Sequence, residues 1–275
     1  MSFEEPKDNG LEDIPEYGHP LDVVRFWEQY GPTSGYEYTE LQIMWQAAKD
    51  SYGALPYHNF RHAKEVLWAS MELAAVCEAN NQPLNRRILV AASLFHDSQY
   101  HLSTGEHASK EAHSVAYMRE QARNIALTES EIAATGQAIM ATKFGVTPKS
   151  REDVALVRAD MQNVSGNYIS SFRAKTNMLW EEALLLNEGA SPPNHVEFIR
   201  TSIHVISTYL SNDLSLGEFD DFSWLRRARL NLEQLAVEYA LLQGITATRF
   251  LQNIGSTPVN MFFRLQPFKK TRPED

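Results

Sequence analysis

Apolar residues recur every three or four positions through successive stretches of this chain, and this spacing constrains the fold more than any other feature. Two examples are YTELQIMWQAAKDSY at 38–52 and FRHAKEVLWASMELAAVCEAN at 60–80. Breaks such as GPTSG, GALP and NNQP separate the stretches. Glu131 follows Thr128 by three residues, which is typical of a capping box at a helix start. The sequence therefore predicts an all-α fold.

The length and composition favour one large helical domain. The chain has 275 residues, of which 43% are hydrophobic, and this is ample for one sizeable core. Residues 1–20 are acidic and non-periodic, so we predict an extended arm there. We predict a helical domain over 21–265, with additional helices towards its C-terminal end, and a basic and polar tail over 266–275.

The charge and the apolar runs exclude several kinds of partner. A net charge of -10 argues against binding along an extended nucleic acid, since such binding depends on Lys and Arg. No apolar run approaches the roughly 20 residues of a membrane span, and the N-terminus does not resemble a signal peptide. The single cysteine, Cys77, allows neither an intramolecular disulfide nor a cysteine-based zinc site. We expect a cytoplasmic protein, with homo-oligomerisation left open.

Several ionisable residues interrupt the apolar faces. His58 and His62 are four residues apart in PYHNFRHAKEVL, His96 and Asp97 end the apolar run LVAASLFHD, and Asp160 follows Val157 by three residues. Each residue also has a structural explanation. The histidines could be hydrogen-bonded core residues, Asp97 could cap the next loop, and Asp160 could pair with a cation. Together, two imidazoles and two carboxylates from different helices could converge on one divalent cation. Mn, Fe, Co, Ni and Zn suit such a set better than Ca or Mg alone, with Mg not excluded.

Three motifs resemble the HD-domain metal-dependent phosphohydrolases. They are YHNFRHA at 57–63, which is also similar to the opening signature of cyclic-nucleotide phosphodiesterases, FHD at 95–97, and RADM at 158–161. The resemblance covers residues 57–186. It implies that His62, His96, Asp97 and Asp160 are metal ligands and that His58 is a proton donor beside the metal.

Two further segments resemble the smaller bacterial branch of that family. KEAHSVAYM at 110–118 singles out Glu111 and Ser114, with Lys110 where the branch usually has Asn. IMATKF at 139–144 matches a segment ending in Thr-Lys, with Phe144 where a His commonly follows. Glu111 would either bond the far nitrogen of His58 or orient the attacking water, and the sequence leaves both open.

The implied function is hydrolysis of a phosphomonoester or small phosphodiester, nucleotides included, by metal-activated water. Cationic side chains would bind the phosphate. The candidates are Lys143 first, then Arg61, Arg158, Arg173 and Lys175, with Ser114 as a polar contact. Two alternatives remain: a non-catalytic sensor that binds a metal and a nucleotide, and a structural protein with internal ion pairs.

Overall fold

The computed structural model describes residues 22–103, 105, 107–125, 127–187, 194–217, 219–220 and 223–244. The predicted arm at 1–20 and tail at 266–275 lie outside these residues. The described part of the chain contains helices and no strands, which confirms the all-α prediction. The α-helices are α1 Val23–Ser34, α2 Tyr38–Ser51, α3 Phe60–Ala79, α4 Arg86–Phe95, α5 Lys110–Gln121, α6 Glu129–Ala141, α7 Arg151–Asp160, α8 Ala174–Leu186, α9 His195–Ser211 and α10 Ser223–Leu242.

Side-chain caps determine where the helices that carry the candidate residues begin. The Asn59 side chain accepts a hydrogen bond from the backbone N–H of His62 at the start of α3. The predicted capping box of Thr128 and Glu131 is present at the start of α6, and Ser150 forms the same arrangement with Asp153 before α7. These caps satisfy backbone donors that a helix N-terminus leaves unpaired.

The first helix differs from the sequence-based prediction. The GPTSG segment at 31–35 was expected to separate α1 from α2, but α1 runs through Pro32 to Ser34 and ends at Gly35. Pro32 lies in the last turn, where its missing N–H costs one helical hydrogen bond. Gly35 has φ 81°, a left-handed conformation that favours glycine, and provides the actual stop.

Two apolar clusters meet on α7. The first contains buried residues of α1 to α6, such as Phe26, Leu67 and Phe95, and receives Leu156 from α7. The second lies mainly among α7, α9 and α10, with Cys77 of α3 and Leu89 of α4 at its edge, and receives Val157, the next residue of α7. Helices α3, α4 and α7 also pack against one another, which brings the start of α3 to the ends of the other two. Among the described residues, no helix has the length and apolar character needed to cross a membrane.

Candidate metal centre

Three helix ends bring together four side chains that were predicted to bind a metal. His62 lies in the first turn of α3, His96 caps the end of α4 with Asp97 beside it, and Asp160 is the last residue of α7. One ligand atom from each lies within 4.8 Å of all the others. His62, His96 and Asp97 are buried, and the Asp160 side chain is 23% exposed. The cluster is therefore open to solvent chiefly on the Asp160 side.

The distances between the ligand atoms suit a divalent cation. His62 Nε2 lies 2.9 Å from Asp160 Oδ1, and His96 Nε2 lies 3.0 Å from Asp97 Oδ2. The two Nε2 atoms are 3.4 Å apart, and both crosswise His to Asp distances are 3.6 Å. Ligand atoms about 2.1 Å from an ion are separated by about 3.0 Å at right angles and about 3.4 Å in a tetrahedron. The separations between the four ligand atoms therefore match those around a first-row transition metal ion.

The surroundings of His96 aim a lone pair at the centre of the cluster. Its Nδ1 donates a hydrogen bond of 2.9 Å to the carbonyl of Ser93, because a carbonyl can only accept. In the neutral imidazole this leaves Nε2 without a proton and free to coordinate a metal. A carbonyl partner of this kind commonly orients metal-binding histidines.

The charges in the cluster perturb each other strongly. Burial alone would lower the pKa of His96, but Asp97 and Asp160 outweigh it and hold the pKa well above its usual range. Burial alone would raise the pKa of Asp160, but the hydrogen bond from His62 and the nearby imidazole of His96 hold it far below its usual range. The buried carboxylate of Asp97 and the half-buried one of Asp160 thus require positive charge beside them, which either protonated imidazoles or a cation can supply.

The turn that carries Asp97 is tied to two neighbouring helices. The Asp97 amide donates to the Tyr52 hydroxyl over 3.3 Å, and the Gln99 amide donates to the Ser51 carbonyl over 2.9 Å. The Ser114 hydroxyl of α5 donates to the Ser98 carbonyl over 2.5 Å. Ser114 is fully buried, and its proton is engaged in holding this turn. Its predicted contact with substrate stays a prediction.

His58 lies beside the four-residue cluster and is held from three directions. Its Nδ1 pairs with a carboxylate oxygen of Glu182 on α8, and its Nε2 lies 3.9 Å from Asp97 Oδ2. Its ring stacks on Tyr100 with centroids 3.8 Å apart and an angle of 13° between the planes. Burial lowers the pKa of His58, but Asp97 and Glu182 outweigh it and raise the pKa above its usual value. The protonated imidazole is therefore favoured.

The sequence-based prediction missed Glu182. Its carboxylate also accepts hydrogen bonds from the backbone amides of Tyr57, at 3.1 Å, and His58, at 2.9 Å. One predicted role of Glu111 was a hydrogen bond to the far nitrogen of His58. In the structure Glu182, not Glu111, binds the Nδ1 atom of His58. A signal was available: Glu182 lies four residues after Met178 and three before Leu185, so it falls on an apolar face, as Asp160 does.

Within the described part of the chain, neither Glu111 nor Lys143 forms a hydrogen bond or an ion pair with the four-residue cluster. Burial is the main cause of the raised pKa of Tyr209, and Asp160 and Glu111 add to it. The Tyr209 hydroxyl donates to the Thr142 carbonyl, and Lys143 is the next residue. The charge of Glu111 thus reaches the same tyrosine as that of Asp160, and Lys143 follows the residue that this tyrosine binds. The roles of both stay predictions.

The other predicted phosphate-binding cations have acidic partners. Arg61 Nε donates to Glu65 over 3.2 Å, and Lys175 Nζ donates to the same carboxylate over 2.6 Å. Arg158 pairs with Asp220, and Arg173 pairs with Glu238 on α10. Binding of phosphate by any of these four would compete with an existing ion pair.

Comparison with protein-family models and with curated protein sequences finds no match to this chain. The resemblance to the HD-domain family therefore stays a prediction. The fold and the site define the protein at a coarser level, as an all-α protein with a buried His/Asp cluster that could hold a metal ion.

Proposed function

We propose that the protein is a metal-dependent phosphohydrolase of the HD-domain type. The observation that carries the proposal is the convergence of His62, His96, Asp97 and Asp160 within 4.8 Å, at the three helix ends where the motifs place them. The mixed nitrogen and oxygen ligand set suits Mn, Fe, Co, Ni or Zn, with Mg not excluded. A divalent cation held there would lower the pKa of a bound water towards neutral pH, and it would offset negative charge on a phosphate.

His58 has the contacts expected of a general acid. Glu182 binds its Nδ1, the Tyr100 ring supports one face, and its Nε2 is directed towards Asp97 at 3.9 Å. Asp97 and Glu182 raise the pKa of the ring above its usual value, which favours the protonated form that an acid needs. His58 would deliver that proton from Nε2 to the oxygen of the leaving alcohol when the phosphorus–oxygen bond breaks.

The charges around the centre bear on the choice of substrate. Asp97, Asp160 and Glu182 would repel a phosphate, so its approach depends on the cation and on nearby basic groups. Lys143 is the preferred basic group because it adjoins Thr142, which Tyr209 links to this region. We propose a phosphomonoester or small phosphodiester as substrate, with nucleotides among the candidates.

Metal analysis combined with a substrate screen tests the proposal. The purified protein should contain about one equivalent of a transition metal or more, and it should hydrolyse p-nitrophenyl phosphate, bis(p-nitrophenyl) phosphate or a member of a nucleotide panel with Mn, Co, Ni, Fe or Mg. The His96→Ala variant should lose both properties. The control is Glu181→Gln, which removes an exposed carboxylate next to Glu182.

Two results would contradict the proposal in different ways. Bound metal and bound nucleotide without turnover would favour a sensor that uses the same residues. A protein that binds no metal under any of these conditions would leave the cluster as a set of internal ion pairs.

A further inference from the structure

Helix α8 differs from the other helices around the centre in what it buries. Its buried residues are Thr176 and Glu182, whereas Leu185 and Leu186 near its end are 52% and 48% exposed. The apolar contact of α8 is with α9, where Trp180 packs on Phe198 with ring centroids 5.2 Å apart. The side of α8 that faces the candidate centre is held by polar contacts.

Two ion pairs connect α8 to the chain segment that carries His58 and α3. The first joins Glu182 to His58, and the second joins Lys175 Nζ to Glu65 Oε2 over 2.6 Å. Glu182 lies seven residues after Lys175, and Glu65 lies seven residues after His58. On α8, seven residues are about two helical turns, or ~10.5 Å, so Lys175 and Glu182 share one helix face. His58 lies just before α3, and Glu65 lies in its second turn. The two pairs therefore act as parallel cross-links between antiparallel segments.

Tyr57 lies between the two cross-links. Lys175 Nζ is 5.8 Å from the centroid of the Tyr57 ring, and the backbone amide of Tyr57 donates to Glu182. The same ring packs on His62 with centroids 4.5 Å apart. A shift of α8 along α3 would thus disturb the position of Glu182 and its three contacts with Tyr57 and His58.

We infer that the Glu65–Lys175 ion pair is a positioning device that fixes the register of α8, so that Glu182 reaches His58. Lys175 is therefore a positioning residue that acts through Glu182, in place of the phosphate-binding role considered from the sequence. The effect on the position of Glu182 is independent of the proposed function, whereas the expected effect on catalytic rate depends on it.

The Lys175→Met variant isolates this role. Methionine keeps the length of the side chain, and Glu65 retains Arg61 as a cationic partner, so no buried carboxylate is left unpaired. We expect amide hydrogen exchange at Tyr57 and His58, measured by NMR, to accelerate about tenfold as Glu182 leaves its place. The metal content should not change, and any hydrolysis should lose kcat with little change in KM.

Three comparisons make the test decisive. Lys175→Arg should restore slow exchange, because it restores the cation. Glu65→Gln should accelerate exchange as Lys175→Met does, and the double variant should add little to either, since both remove the same contact. Arg200→Met, which removes a cation from an exposed pair on α9, should leave exchange at Tyr57 and His58 as it is in the parent protein.

Unchanged exchange at Tyr57 and His58 in both Lys175→Met and Glu65→Gln would overturn the inference. Faster exchange in a protein that hydrolyses no phosphoester would support the positioning role and contradict the proposed function. Exchange that stays slow in both variants, in a protein that hydrolyses phosphoesters normally, would support the proposed function and contradict the positioning role.

Discussion

The four-residue cluster and the His58–Glu182 pair adjoin each other, yet different forces hold them. The cluster lies where α3, α4 and α7 meet, and apolar residues such as Leu67, Leu94 and Leu156 fill the contacts between these helices. The pair depends on α8, whose buried residues are both polar. Hydrophobic packing thus fixes the three helices that carry the ligands, whereas the position of the helix behind the candidate acid depends on hydrogen bonds and ion pairs. We therefore expect mutations in the two regions to separate metal binding from catalytic rate.

Removal of a ligand should have the largest effect. His96→Ala deletes a fully buried imidazole and leaves Asp97 and Asp160 with less positive charge beside them. Metal affinity and phosphoester hydrolysis should fall by more than the roughly 10–100-fold that loss of an outer contact costs. Elemental analysis and a phosphate-release assay check this. A variant that keeps its metal would show that His96 is not a ligand.

Replacement of His58, the candidate acid, should have a different effect from replacement of His62, the other histidine of YHNFRHA. His58→Ala should keep its metal and lose about 100-fold to 10,000-fold in kcat, as expected when general acid catalysis is lost. His62→Ala should instead lose the metal. Equal metal loss in both variants, measured side by side, would mean that His58 also binds the metal.

The carboxylate partner of His58 should have an intermediate effect, visible in the pH profile. Glu182 and Asp97 raise the pKa of His58 against the effect of burial, so the protonated acid persists to higher pH and the rate should fall as pH rises through that pKa. In Glu182→Gln the alkaline limb should move to lower pH, with kcat reduced about 10–100-fold at neutral pH. Glu181→Gln is the matched control, and an unmoved limb in Glu182→Gln would separate Glu182 from proton transfer.

The smallest expected effect concerns stability alone. Ser150→Ala removes the hydroxyl that caps α7 and should lower the free energy of unfolding by about 1 kcal/mol. Asp160 lies at the opposite end of the same helix, so metal content should be retained. Denaturant unfolding together with metal analysis checks both expectations. Loss of metal in this variant would mean that the start of α7 controls the position of Asp160.

The sequence was informative wherever an ionisable residue interrupted an apolar pattern next to a motif. This pattern singled out His58, His62, His96, Asp97 and Asp160, and the family resemblance selected the last four as ligands. The structure brings those four together. Glu182 satisfied the same criterion of an acid on an apolar face, but it lies 124 residues from His58 and no local pattern links the two. The π-helical turn at Tyr168–Arg173, just before α8, shifts the helical phase, so periodicity alone does not give the face of α8 that meets His58.

The position of α7 between the two apolar clusters has a thermodynamic consequence. Leu156 packs in one cluster and Val157 in the other, and the same helix ends at Asp160. Helices α3 and α4 also contribute to both clusters. A cation that binds the folded state would therefore stabilise both clusters through the helices that carry its ligands, by an amount that grows with the logarithm of its concentration. Titration with a chelator should then lower the melting temperatures of both halves together, so that a single cooperative transition moves without splitting.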